Sequence, residues 1–125
     1  MQRNDLIILA VDDDMINLKL LKSMLGKSGK VKEVIEAKNG SDAIGHLKSR
    51  DDIDLILLDI IMPIMGGIDM LKVVRADDNL RQLPIIVLTT DETKKVEALE
   101  CGANGFLMKP IRNEELMKKI ATVIV

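Results

Sequence analysis

The sequence predicts an α/β fold, a mostly parallel sheet with five helices distributed over both of its faces. Three observations predict it. Short aliphatic runs alternate five times with segments of helical periodicity, the order produced by successive strand–helix units. Four of the runs are apolar at nearly every position rather than at every second one, as strands covered on both faces are. Four of them lead straight into a reactive side chain: residues 6–11 into Asp12-Asp13, 53–58 into Asp59, 85–88 into Thr89, and 106–108 into Lys109-Pro110. An open α/β sheet binds its ligands beyond the carboxyl ends of its strands. The pattern therefore brings three carboxylates, a hydroxyl and an ammonium onto one small patch, a set suited to a divalent cation and a phosphoryl group.

Each element has its own signal. The first strand covers about residues 6–11. In the helix that follows, Met15, Leu18, Leu21 (or its neighbour Leu20) and Leu25 recur at three- and four-residue spacing, and Gly26 and Gly29 end it. The second strand is about 31–37, and Asn39-Gly40 turns the chain into a second helix over roughly 41–50. The third strand spans about 53–58. Met62-Pro63 and Gly66-Gly67 then form a loop before a third helix at roughly 67–77. The polar stretch 77–82 connects to a fourth strand at about 84–88. A fourth helix occupies roughly 92–101 and ends at Gly102, and Asn104-Gly105 leads into a fifth strand at about 105–108. The fifth helix begins near Asn113, with Glu114 and Glu115 in its first turn and Lys118 and Lys119 further on, which complements the helix dipole. Its apolar end, 121–125, is expected to pack on the sheet. No repeat, low-complexity segment or linker interrupts the chain, so residues 1–125 read as one domain, long enough for a real core.

Composition narrows the function classes. Hydrophobic residues make up 47% of the chain, but the only aromatic residue is Phe106. The core must be aliphatic, and there is no aromatic platform on which nucleobases could stack. A net charge of −2 lacks the basic face of a nucleic-acid binder; Lys94-Lys95 and Lys118-Lys119 read as solvated helix faces. Cys101 stands alone, which excludes an internal disulfide and fits a reducing cytoplasm. It reads as a small apolar filler. The first apolar run is too short for a signal-peptide core, and no run approaches the roughly 20 apolar residues of a membrane span.

Clustered carboxylates need compensation. Two unit charges about 4 Å apart repel by roughly 4 kcal/mol at an effective dielectric of 20. Lys109 supplies one positive charge, and a hard cation with oxygen ligands supplies the rest. Mg²⁺ is favoured because it binds through a few carboxylates together with water and phosphate oxygens. Simpler roles exist for some members. Asp13 or Asp14 can cap the first helix, and Asp14 is expected to do only that. Thr89 alone decides nothing, since a β-branched residue suits a strand end. Asp59 is different: it is the lone charge in the apolar octet 55–62, where an idle carboxylate costs several kcal/mol of desolvation. Lys109 precedes a proline, and an X-Pro bond adopts cis at small cost, a geometry that redirects the chain. His46, in mid-helix, reads as a surface histidine. Gly66-Gly67 lacks the Gly-x-x-x-x-Gly-Lys pattern of a nucleotide loop and reads as a turn beside Asp59.

These four segments, Val-Asp-Asp at 11–13, Asp-Ile-Ile-Met-Pro-Ile-Met-Gly-Gly at 59–67, Thr-Thr at 89–90 and Lys-Pro at 109–110, resemble the receiver domain of two-component response regulators, and the length is similar to that of the single-domain chemotaxis regulators. The resemblance implies a five-stranded parallel sheet in the flavodoxin-like order 2-1-3-4-5. It implies that Asp59 is the phosphoacceptor, and that Asp12 and Asp13 organise Mg²⁺, Asp13 directly and Asp12 largely through water. Asp59 and the backbone carbonyl of Ile61 complete the protein's metal ligands. Thr89 would hydrogen-bond the phosphoryl group and Lys109 would pair with it. Thr89 and Phe106 would form the switch, and Phe106 lacks the hydroxyl of the tyrosine frequent at that position. Ile61 and Asp91, two residues beyond Asp59 and Thr89, flank the path of a hydrolytic water. The implied activity is a phosphorylation-driven switch that catalyses only its own phosphorylation and dephosphorylation. Its donor would be a phosphohistidine on a histidine kinase or phosphotransfer protein. Its output would be a downstream protein target or output domain met through the fourth helix, fifth strand and fifth helix. Met1 favours a stand-alone regulator.

Rival readings leave a mark in the sequence. An adaptor using only that output face needs none of Asp13, Asp59, Thr89 and Lys109. A phosphatase working through an aspartyl phosphate needs a second Asp where Ile61 stands, and a flavin carrier needs aromatic side chains to sandwich its ring.

Overall fold

The computed structural model describes residues 4–124; Met1 and Val125 lie outside them. Five strands, β1 (Leu6–Val11), β2 (Val31–Ala37), β3 (Leu55–Asp59), β4 (Ile85–Thr89) and β5 (Gly105–Met108), form one sheet in the order β2-β1-β3-β4-β5. Every pairing is parallel, so both the fold class and the expected order are borne out. The helices are α1 (Met15–Lys27), α2 (Gly40–Ser49), α3 (Gly67–Ala76), α4 (Lys95–Glu100) and α5 (Asn113–Val123), with a 3₁₀ turn, Glu92–Lys94, ahead of α4.

Strand alternation divides the aliphatic residues between two cores. Ile7, Leu9, Ile56, Leu58, Ile85 and Val87 face α2, α3 and α4 through Leu47, Met70, Leu71, Val74 and Ala98. Ile8, Ala10, Leu55, Leu57, Ile86 and Leu88 face α1 and α5 through Leu18, Leu25, Leu116 and Ile120. Central strands β1, β3 and β4 are buried along their whole length. Each fully buried Leu or Ile contributes roughly 1.5–3 kcal/mol of transfer free energy, so an all-aliphatic core suffices without aromatic residues.

Element ends differ from the sequence expectation for local reasons. In α1 the buried stripe is Leu18, Leu21 and Leu25, while Met15 and Leu20 are exposed. The helix runs through Gly26 to Lys27 and ends where the Ser28 amide donates to the Leu25 carbonyl. Strand β3 starts at Leu55 rather than at residue 53, because Asp54 pairs with Ile7 by both side chain and backbone: its carboxylate accepts the Ile7 amide at 2.8 Å and its own amide donates to the Ile7 carbonyl. β3 and β4 each extend one residue further than expected and take Asp59 and Thr89 into the ladder, where Asp59 sits opposite Leu88 and Thr89 opposite Met108. The fourth helix is divided: 92–94 bury no side chain and wind as a 3₁₀ turn, and only 95–100 are α-helical.

Candidate functional site

The C-terminal ends of β1, β3, β4 and β5 meet at one edge of the sheet. Three polar side chains are buried among the described residues, Asp12, Asp59 and Thr89, and all three lie at this edge. Buried polar groups need partners, and each has them.

Asp12 ends β1. One carboxylate oxygen accepts the Asp14 amide at 2.9 Å, and the other accepts Lys109 Nζ at 2.8 Å. Asp13 follows, exposed, and Asp14 caps α1 by accepting the Ile16 amide at 2.8 Å, the simple role expected of it. Asp59 ends β3, and Lys109 Nζ stands 3.5 Å from its carboxylate. Asp12, Asp13 and Asp59 each present a carboxylate oxygen within 4.8 Å of the others. The Lys109–Pro110 peptide bond is cis, and the half-buried ammonium lies between two acidic groups of different strands.

The electrostatics follow from this packing. Burial raises the Asp59 carboxyl above its ordinary value; Lys109 pulls it down and Asp12 pushes it up, and the net direction is upward. For Lys109, burial by itself lowers the ammonium, but its hydrogen bond to Asp12 and the charges of Asp59 and Asp12 outweigh burial and raise it. The site thus holds an excess of negative charge with one fixed cation. All its donors are hard oxygens, the set that Mg²⁺ takes.

The loop after β3 is braced at both ends. The Gly67 amide donates to the Ile60 carbonyl at 2.8 Å, and the Gly40 amide donates to the Met65 carbonyl at 3.0 Å. A Cβ on Gly67 would lie 2.4 Å from the Asp59 carbonyl oxygen, so glycine there is what lets α3 start against Asp59. Ile61 and Ile64 on this loop are 61% and 84% exposed beside the acidic edge.

Sequence reasoning missed one polar link. The Thr89 hydroxyl accepts the Asp91 amide at 3.1 Å, which leaves its own proton available to a ligand. Asp91 in turn accepts the amide and hydroxyl of Thr93. The signal was present: Asp-x-Thr is a local capping pattern. Phe106 on β5 is half-buried against the core under α3 and α4.

Known proteins share this arrangement. The sequence pattern of the response regulator receiver domain matches residues 8–121. A chemotaxis protein CheY1 of Helicobacter pylori is 34% identical over 119 residues, covering 94% of this chain and 95% of its own length. The transcriptional regulatory protein CpxR of Escherichia coli is 41% identical over 119 residues, and there the match covers 48% of the relative. Among solved structures, the chemotaxis regulator CheY4 of Vibrio cholerae superposes with a TM-score of 0.85 at 33% identity, covering 94% of this chain and 98% of that one. The receiver domain of a Pseudomonas aeruginosa sensor histidine kinase, with a magnesium ion coordinated in its active-site cleft, superposes with a TM-score of 0.86 at 29% identity over 95% of this chain and 97% of its own. With the sheet order, the acidic edge and the sequence pattern in agreement over nearly the whole chain, the protein belongs to the response regulator receiver domain family.

Proposed function

We propose that this protein is a two-component signalling switch in which Asp59 accepts a phosphoryl group. The observation that carries the reading is the Asp59 carboxylate itself: buried, held 3.5 Å from Lys109 Nζ, and gathered with Asp12 and Asp13 within 4.8 Å. A carboxylate placed this way, with its charge disfavoured by burial, is poised as a nucleophile rather than as a structural ion.

An Asp59 oxygen attacks phosphorus; the O–P bond forms as the bond from phosphorus to the donor's imidazole nitrogen breaks. The donor is a phosphohistidine on a histidine kinase or phosphotransfer protein. Phosphoryl transfer needs in-line positioning and neutralisation of the equatorial oxygens. Lys109 Nζ supplies a fixed positive charge and Thr89 donates its free hydroxyl proton. Asp13, Asp59, the Ile61 carbonyl and, through water, Asp12 would hold Mg²⁺, which when bound neutralises charge on the transferring group. The chain catalyses only its own phosphorylation and dephosphorylation and has no separate substrate. Movement of Thr89 toward the phosphoryl oxygens makes room for Phe106 to turn inward, which alters the surface of α4, β5 and α5. On that surface Val96, Leu99 and Met108 are exposed apolar groups, suited to a protein partner rather than to nucleic acid. Among the described residues no helix is long and apolar enough to cross a membrane, and we place the reaction in the cytoplasm.

Incubation with acetyl phosphate and Mg²⁺ followed by mass spectrometry of the intact chain tests the reading. Wild type is expected to gain one phosphoryl group and Asp59→Asn none. Equal labelling of both, or none of either, contradicts it.

A further inference from the structure

The two ends of α4 are held in very different ways, and the difference has a consequence for signalling. At the C-terminal end, the Arg75 guanidinium reaches from α3 to four oxygens. Nε donates to the Gly102 carbonyl at 3.0 Å, one terminal nitrogen donates to the carbonyls of Leu83 and Arg81 at 2.8 and 3.0 Å, and the other donates to the Asn104 side-chain oxygen at 2.8 Å. Asn104 is bolted to β4 by two further bonds, from its amide to the Ile85 carbonyl and from the Ile85 amide to its side chain, both 2.8 Å. The acceptors are backbone carbonyls and an amide, not carboxylates. Arg75 therefore acts through the fixed fork of its donors, a geometry that lysine cannot reproduce. Gly102 sits at φ +106, and a Cβ there would lie 2.8 Å from Arg75 Nε, so helix end and guanidinium are fitted to each other.

The N-terminal end has nothing comparable. The 3₁₀ turn 92–94 buries no side chain, Lys94 gives α4 no side-chain cap, and Ala98 is the one buried residue of the helix. The side-chain bonds at this end form a short relay: the Asp91 amide donates to the Thr89 hydroxyl, and the Thr93 amide and hydroxyl donate to the Asp91 carboxylate. A hydroxyl oxygen drawn toward a phosphoryl group gives up its alignment with the Asp91 amide.

We propose that α4 is a lever pivoting at Arg75: phosphorylation of Asp59 moves its N-terminal end through Thr89, Asp91 and Thr93, while the Arg75–Gly102–Asn104 clamp keeps its C-terminal end in place. Arg75 is a positioning residue, remote from the acidic edge. The proposal rests on Asp59 being the phosphoacceptor, but the clamp exists in the unmodified protein and is measurable there.

The test uses the full ¹⁵N-labelled chain. Without additives, amide hydrogen exchange at 101–104 should be at least about tenfold slower than at 92–96, as expected of a bolted against a fraying end. With Mg²⁺ and beryllofluoride as the phosphoryl mimic, amide shifts should be large from 89 to 96 and fade to nothing by 101–104. Arg75→Lys, which keeps the charge, and Arg75→Met should both abolish the exchange gradient and let the shifts spread through 101–104. Equal exchange at the two ends of wild type, shifts at 101–104 as large as at 92–96, or an Arg75→Lys protein with the wild-type pattern each overturn the lever. A normal gradient with no beryllofluoride shift at Asp13, Asp59 or Thr89 overturns the phosphoacceptor reading, and the signalling role of the lever with it.

Discussion

Asp59 carries a charge that the fold disfavours, since burial, the larger effect, lifts its carboxyl above the ordinary value. The folded chain therefore keeps the Asp59 proton to higher pH than the unfolded chain, whose Asp titrates at about 3.9. Stability falls as pH rises through the window that opens there, and the penalty is complete above the folded value. In the presence of a chelator, Asp59→Asn is expected to melt a few degrees above wild type at neutral pH, and the gain should vanish below about pH 4; a lower melting point at pH 7 contradicts the assignment. Lys109 behaves in the opposite sense: its raised ammonium contributes stability throughout neutral pH, lost only in alkali as pH climbs through the folded value. Gly67 is constrained by space. Gly67→Ala must push a methyl into the Asp59 carbonyl, which overpacking puts at about 1–3 kcal/mol, and labelling by acetyl phosphate should slow because the nucleophile shifts. Ile64 is constrained by nothing visible, being 84% exposed at φ 69. A β-branched residue in the left-handed region is strained by roughly 1–2 kcal/mol, so Ile64→Gly should raise stability by about 1 kcal/mol in urea titration.

At the scale of elements, β1, β3, β4 and β5 were legible because each is a short aliphatic run stopped by a polar residue. Their reactive ends were legible for the same reason: Asp59 interrupts 55–62 and Lys109 follows 106–108. The helix ends were less so. Gly26 looks like a stop, yet the helix continues to Lys27, because one glycine in a helix interior costs only about 1 kcal/mol. The divided fourth helix was hidden because residues 92–95 are all polar and carry no local signal that separates a 3₁₀ turn from the first turn of an α-helix, while the absence of buried side chains there is a tertiary fact. Arg75 was invisible altogether: its acceptors lie 6 to 29 residues away and no local pattern announces them. The adjacent carboxylates Asp13 and Asp14 separate cleanly at this scale. Asp14→Ala should cost about 1 kcal/mol through the lost α1 cap and leave phosphorylation unchanged, whereas Asp13→Ala should abolish Mg²⁺-dependent labelling with little loss of stability. Equal effects on labelling would contradict the division of roles.

At the scale of the whole molecule, the sheet order explains why residues 12, 59, 89 and 109 meet. With β1, β3, β4 and β5 adjacent and parallel, every connection must return over a face, and all strand ends of one sense share an edge. Two aliphatic cores fix the strands from both sides, so the acidic edge is prepaid by packing elsewhere and can hold repelling charges together. Alternation of strand and helix fixed the fold class from sequence, but the order 2-1-3-4-5 came through family resemblance, since periodicity does not say which strands are neighbours. The central claim is that this edge delivers a phosphoryl group to one carboxylate among three. Phosphorylation with acetyl phosphate and Mg²⁺, followed by borohydride reduction and peptide mass mapping, tests it most directly, because reduction converts a phosphorylated aspartate to homoserine at the position that carried the group. Homoserine at position 59 alone is the predicted result; homoserine at position 12 or 13, or at none of the three, would contradict the account.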